Sequence, residues 1–404
     1  MTPEVFPPSK AHVTLRAGLI LLAFFCAAWL GLSRQFYTEA IVDAFFALAL
    51  ASVIIVHLRV HPSWLDAALI AAGAAALGTI HFAILHDAPK VMAWFSFAGL
   101  TSFTILSVRS IWGFEQRRLV YAWAPAALFV ASDYFAATLL EWTSRTRHFT
   151  FDLYLLSFDA SLGRLISFDV GRAYAQVPWF HICALIAYIG LALPIAMVYA
   201  GRLVRHGKAA LPVMWAFIAA GPLGVVFYNV FPACGPRDLL RAAFPFNAAA
   251  IPDLSRLVLE PVAITGPRNA MPSLHLAWTL LAWWYSKGLS PLERIIAFAF
   301  LAWTAIATLG TGEHYLADLI VAFPFALMIQ ALCSAELRWT QSLRSASCLL
   351  GLGGTVVWLV LLRFTPRLFW LSPLLPWTLS AATVVGVCWQ QARLSAEVAA
   401  HDPR

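Results

Sequence analysis

Apolar residues in this chain come in long blocks and do not alternate with polar ones. A helix that crosses a bilayer needs about 20 mostly apolar residues. About twelve blocks meet that measure, at roughly 13–33, 38–58, 64–85, 90–111, 119–142, 175–200, 210–231, 273–287, 293–311, 314–334, 347–363 and 370–390. Backbone groups in lipid must be satisfied within the spanning structure, which leaves helices or closed barrels. The lack of a two-residue period selects helices, so the pattern predicts an all-α polytopic membrane protein. The block at 273–287 is short, which predicts that its first turn lies in a protein-lined site. Two connections are long. The stretch 143–174 mixes aromatic and charged residues and predicts a helix lying at the membrane interface. The stretch 232–272 holds two proline-rich turns and four arginines, Arg237, Arg241, Arg256 and Arg268, offset by Asp238, Asp253 and Glu260. Long loops between membrane helices are more often functional than not.

Composition agrees with this picture. The 404 residues are 61% hydrophobic and 12% charged, and the mean hydropathy is +0.77. Soluble domains carry about 25% charged residues, so a soluble enzyme, a disordered chain and a nucleic-acid binder are all disfavoured. The net charge of +7 fits a positive cytoplasmic membrane face better than DNA binding. With the N-terminus inside, the inner connections carry Arg59, Arg109, Arg117, Arg118, Arg202, Arg205, Lys208, Lys287, Arg294, Arg338 and Arg344. The short outer connections hold fewer basic residues, such as Arg34 and Lys90, and Arg363 and Arg367 are the exceptions. This bias predicts both termini inside and an even number of spans. The first block reads as a membrane helix, because no small-x-small cleavage site follows it. Six scattered cysteines form no metal-ligand spacing and imply no disulfide framework.

Three segments carry candidate chemistry: FPACGPRDL (231–239), GPRNAMPSLHLAW (266–278) and GTGEHYLADL (310–319). The helix order brings all three to one membrane face, which the charge bias makes the outer one. His314 and Asp318, four residues apart, share a helix face. Asp318 can then accept the Nδ1–H of His314 and leave Nε2 free as nucleophile or base. Alone, such a pair could equally pack two helices, but ionisable groups in spans are costly and usually functional. Pro272 fits the first turn of a helix. Ser273 and the free amides beside it suit a phosphate, and His275 can act as general acid. Arg237 lies just past a helix end and Arg268 precedes Ser273 by five residues. Either guanidinium could grip phosphate oxygens or bind lipid headgroups instead. Together these groups suit phosphoryl transfer through a phosphohistidine, with no metal or cofactor required. Asp43, His81, Asp133, Glu141 and His181 also fall inside spans and are read as helix-pairing groups.

At these residues the chain resembles the type-2 phosphatidic-acid phosphatase superfamily. It resembles more closely the branch containing inositol phosphorylceramide synthases and related bacterial enzymes. The superfamily's Pro-Ser-Gly-His motif is matched by PSLH at 272–275, and AMPSLH is the form typical of the synthase-like branch. In its last motif His314 and Asp318 match, while Thr308 and Ala307 stand where arginine and serine are expected. The branch also tends to lack that arginine and to show His-Tyr, as in HYLAD here. In the first motif Arg237 aligns, but Val230 holds the lysine position and Asp238 replaces proline. FDASLG (158–163) is similar to the interfacial stretch that precedes the core in this branch.

The resemblance implies a six-helix catalytic core over 120–335, preceded by membrane helices of unknown role over 1–115 and followed by two more over 345–392. It implies His314 as nucleophile, Asp318 as its partner, His275 as acid, and Ser273 and Arg237 as phosphate ligands, with Arg268 a further candidate. The expected substrate is a membrane lipid: a lipid phosphate, a phospholipid or a polyprenyl phosphate. The missing Lys and Arg disfavour broad phosphomonoesterase activity and favour a phosphodiester or diphosphate donor, with a lipid alcohol as acceptor. The expected location is a bacterial inner membrane with the site on the extracytoplasmic side. A transporter is the alternative from another class, but it predicts paired halves with matching broken helices, and here the motifs cluster in one half. A metal hydrolase would be expected to show a short two-histidine ligand motif, and none is present.

Overall fold

The computed structural model describes residues 40–112 and 117–401; the block at 13–33 lies outside them. The helices in chain order are α1 (Ala40–Val60), α2 (Trp64–Leu85), α3 (Val91–Trp112), α4 (Arg117–Thr146), α5 (Asp152–Ser161), α6 (Ile166–Gln176), α7 (Pro178–Ile189), α8 (Ala192–His206), α9 (Leu211–Val230), α10 (Pro236–Leu240), α11 (Leu274–Tyr285), α12 (Pro291–Gly310), α13 (Leu316–Cys333), α14 (Ser342–Phe364) and α15 (Leu374–His401). Among the described residues there is no strand, only an isolated bridge between Thr150 and Val262.

Among the described residues six helical stretches are long and apolar enough to cross a membrane: Trp64–Leu85, Val91–Ser110, Ala192–Val230, Pro291–Gly310, Leu316–Cys333 and Ser342–Phe364. The twelve spans expected from the sequence are therefore matched only in part. The physical reason is visible in two of them. The block expected at 175–200 is divided by a turn at Gly190 and Leu191 into α7 and α8, and α7 has 12 residues. The block at 273–287 yields α11, also of 12 residues. Twelve residues rise about 18 Å, short of the roughly 30 Å hydrocarbon core.

Local chemistry explains where helices start and stop. Ser290 caps α12: its hydroxyl accepts from the Glu293 amide, the Glu293 carboxylate accepts from the Ser290 amide, and Pro291 occupies the first turn. Ser63 caps α2 through the Asp66 amide at 3.3 Å.

The described residues form two compact units, one within Met1–Phe135 together with Ile195–Leu211, the other within Ala136–Pro194 together with Pro212–Arg404. In the first, α3 packs against α1 and α2. A buried Asp66 carboxylate faces His57 Nε2 at 3.1 Å and His61 Nδ1 at 3.0 Å, and its other oxygen accepts from Arg109. In the second unit α13 is the central helix, with 78% of its span buried, and α5, α11, α14 and α15 pack around it. The outer faces of α12 and α14 expose Leu292, Ile295, Leu349 and Val357, as helices in contact with lipid do.

The expected interfacial helix in 143–174 is instead two helices, α5 and α6, joined by a turn at Gly163. Most of α5 is buried, including Asp152 and Asp159. It is a packed element because both carboxylates hold main-chain amides, as described next.

Candidate active site

The three motif segments meet in the second unit, and α5 ties the first and third together. At its start, the Asp152 carboxylate accepts from the Gly235 amide at 2.8 Å, the Cys234 amide at 3.1 Å and the Tyr315 hydroxyl at 3.1 Å. Near its end, Asp159 Oδ2 accepts from the Leu316 amide at 3.1 Å. One short helix therefore fixes the turn that carries Arg237 and the start of α13. Burial raises both carboxyl pKa values, that of Asp159 to about 8. The loops also bond each other: the Ala270 amide donates to the Ala233 carbonyl at 3.0 Å, and the Arg237 amide to the Gly312 carbonyl at 3.0 Å. Gly235 (φ +112°) and Gly312 (φ +74°) lie where these segments press together. A Cβ on Gly235 would stand 2.5 Å from the Glu313 carbonyl oxygen, so only glycine fits both the backbone angle and the space.

Ser273 is the cap of α11, its hydroxyl accepting from the Leu276 amide at 3.4 Å. Pro272 was expected in the first helical turn; it precedes the cap instead, because the serine takes the capping role it is best suited to. His275 is then the second helical residue. The Ser273 amide donates to the Asp318 carbonyl at 3.2 Å, which brings the starts of α11 and α13 together.

The His314 side chain is 1% exposed. Its Nε2 lies 3.2 Å from Ser273 Oγ, and its Nδ1 lies 3.0 Å from the Ala270 carbonyl oxygen. That carbonyl can only accept, so Nδ1 carries the hydrogen and Nε2 keeps its lone pair. Asp318 Oδ2 lies 3.4 Å from the same Nδ1, but its closer partner is the Tyr315 amide at 2.8 Å. Asp318 thus caps α13 first and supports the imidazole second. Burial pushes the His314 pKa down to about 4, so the ring is neutral at pH 7.

His275 and His314 face each other edge to face, with ring centroids 6.3 Å apart. Tyr188 of α7 stacks on His275 at 4.3 Å and 14°, which holds that imidazole's plane. The half-exposed Arg237 guanidinium pairs with Glu313 Oε1 at 2.5 Å, and Glu313 directly precedes His314 in the chain.

The structure thus brings together His275, His314, Asp318 and Ser273, with Arg237 joined through Glu313. Arg268 is placed differently. It is 2% exposed, and its guanidinium donates to the carbonyls of Arg147 at 2.9 Å, Ile264 at 2.8 Å and Gly266. Expected as a phosphate ligand, it is a staple for the 264–268 loop, because main-chain carbonyls engage its fork. Asp152, Asp159, Tyr188 and Glu313 were not read from the sequence as site residues. FDASLG contained Asp159, and the acid beside His314 was a usable signal for Glu313. Tyr188 had none, since its stacking is tertiary. Of the lesser candidates, Glu141 pairs with Arg145 and the His181 ring packs tilted against Tyr174. Among the described residues one group has metal-ligand proximity, His57, His61 and Asp66. It lies in the first unit, contains none of the site residues, and its carboxylate already holds Arg109.

Residues 153–332 match the family model of the PAP2 superfamily. That stretch contains all three motif segments and includes helices long and apolar enough to cross a membrane. No curated protein and no solved structure matches the chain.

Proposed function

We propose that the protein is an integral-membrane lipid phosphatase or phosphotransferase that works through a phosphohistidine on His314. The observation that carries this reading is the pair of imidazoles, His275 and His314, facing each other at 6.3 Å with a neutral Nε2 on one of them. In the first step the Nε2 lone pair of His314 attacks phosphorus and the bond from phosphorus to the leaving oxygen breaks. Burial pushes the His275 pKa down to about 3, so this ring is neutral in the empty site; it takes up a proton as the anionic phosphoryl group binds beside it and gives that proton to the leaving oxygen. The Nδ1 hydrogen of His314 stays on the Ala270 carbonyl and Asp318 side, where the carboxylate offsets the positive charge that forms on the ring. In the second step water or an alcohol attacks the phosphohistidine, His275 takes its proton, and His314 leaves as neutral imidazole. Arg237 and the positive end of the α11 dipole neutralise the phosphoryl oxygens.

Thr308 and Val230, where the resemblance expects Arg and Lys, leave few cations on the phosphate. This favours a phosphodiester or diphosphate donor, such as a phospholipid or a polyprenyl diphosphate, with a lipid alcohol as acceptor in the manner of the inositol phosphorylceramide synthase-like branch. The bias of basic residues supports a site opening at the extracytoplasmic face of a bacterial inner membrane.

The test is turnover of lipid phosphate, diphosphate and phosphodiester donors by the purified protein in nanodiscs, wild type beside His314→Ala. Loss of turnover, with a base-stable, acid-labile phosphoryl adduct on His314 in the wild type, is expected. Equal turnover in both would remove the nucleophile. Release of free phosphate against a phosphorylated alcohol separates hydrolysis from transfer.

A further inference from the structure

Arg363 and Arg367 stand out in the sequence as the exceptions to the charge bias, and the proposed chemistry does not use them. Both line a cavity of about 400 Å³ that also includes Tyr154 and Ser157 of α5, Leu257 of the long loop, and Trp370. No carboxylate is among its lining residues. Elsewhere in this unit an arginine pair on a cavity wall already shares a carboxylate, since Arg164 and Arg172 both bond Asp169. The Arg363 guanidinium is held in place: it lies 4.6 Å from the Phe151 ring centroid and 4.7 Å from that of Tyr154, and Nη1 donates to the Tyr154 hydroxyl at 2.6 Å. Tyr154 in turn donates to the Leu259 carbonyl at 2.7 Å. Arg367 is exposed. Thr365 and Ser157 add hydroxyls.

The cavity lies at the same end of the bundle as the imidazoles. His314 precedes α13, which runs away from the site, and α14 returns to end at Phe364. Trp370 Nε1 bonds Ser157 Oγ at 3.0 Å, so the cavity and the catalytic loops share α5. Around it, Phe364, Val258 and Leu371 are 72%, 69% and 76% exposed. Two guanidiniums without a carboxylate suit a phosphate group. An apolar rim beside them suits the chain that such a group is attached to.

We propose that this cavity binds the phosphate headgroup of an anionic membrane lipid, with Arg363 and Arg367 on the phosphate and the acyl chains along Phe364, Val258 and Leu371. The assignment does not depend on phosphohistidine chemistry, and its test reads binding alone. The delipidated full-length protein is titrated in detergent with short-chain phosphatidylglycerol, phosphatidylcholine and inorganic phosphate, and adducts are counted by native mass spectrometry. The variants are Arg367→Gln, the double variant with Arg363→Gln, Arg237→Gln, and Arg338→Gln as a charge control from another connection. A cation near an anionic lipid surface typically contributes about 1 kcal/mol, so Arg367→Gln should weaken the tight phosphatidylglycerol adduct about fivefold. The double variant should weaken it further, while Arg237→Gln and Arg338→Gln leave it in place. Phosphatidylglycerol affinity within twofold of wild type in Arg367→Gln overturns the proposal. So does a tight adduct that vanishes in Arg237→Gln alone, which assigns it to the catalytic site. Inorganic phosphate binding as tightly as the lipid would make this an ion site and overturn the lipid assignment. Arg367 is exposed, so its single variant decides the question even if the double variant does not fold.

Discussion

Gly235→Ala isolates what the contact between the two motif loops contributes. The new methyl would stand 2.5 Å from the Glu313 carbonyl oxygen and 2.6 Å from the Gly312 carbonyl oxygen, whereas ordinary contact begins at 3.4 Å. Both obstacles are backbone, so the loops must separate by roughly 1 Å, or the turn must abandon a φ of +112° that costs alanine about 1–3 kcal/mol. Either response moves Arg237, two residues on, away from Glu313 and the His314 ring. A displacement of about 1 Å in a positioned catalytic group can cost on the order of 100-fold in rate. The assay is kcat on the preferred lipid donor at a temperature where the variant remains folded, with Arg237→Ala and the double variant completing a cycle. If the alanine acts by misplacing Arg237, it should add less than about threefold in the Arg237→Ala background, since residues acting as a unit are not additive. Turnover of Gly235→Ala within twofold of wild type, or losses that multiply in the double variant, would refute the reasoning.

Four further outcomes are expected. Burial holds His314 neutral down to about pH 4, so the acid limb of kcat/KM attributable to it should fall well below the ordinary histidine value near 6.5; a limb centred at 6.5 would contradict the buried site. Asp159 has a folded pKa of about 8, so between pH 4 and 8 the unfolded chain releases a proton that the folded chain keeps, and this contribution to stability declines as pH rises. Asp159→Asn removes that decline, and its melting temperature relative to wild type should increase across the same window. Arg268→Gln leaves loop carbonyls without their donor and should cost about 3 kcal/mol, read as a lower melting temperature with little change in KM; a raised KM at unchanged stability would return it to the phosphate. Tyr188→Leu removes the ring stacked on His275 and should lower kcat roughly threefold to tenfold, while Tyr188→Phe, which keeps the stack, should lose less.

Short-range spacing made much of the site legible in the sequence. Ser273 and His275 sit on one helix start and His314 and Asp318 flank another, so residue order alone placed each pair. Arg237 could be placed because it follows the end of a long apolar block. What escaped depends on partners distant in the chain. Arg268 and Arg237 look alike in sequence, and only the carbonyls of Arg147, Ile264 and Gly266 distinguish a loop staple from a guanidinium left half exposed. Asp152 and Asp159 read as charges in a surface stretch because their amide partners lie in other loops. The span count suffered for a related reason. Hydropathy does not register the turn that parts α7 from α8, and it gives α11 the weight of a crossing helix although that helix has 12 residues.

The ten-residue α5 holds the Arg237 turn with its first side chain and the start of α13 with a side chain two turns later. The separation of the Arg237 turn and the start of α13 is therefore set by a rigid ruler, not by the length of the peptide between them. Insertions or deletions in the 241–262 segment should leave the distance between Arg237 and His314 standing while they remodel whatever passes above it.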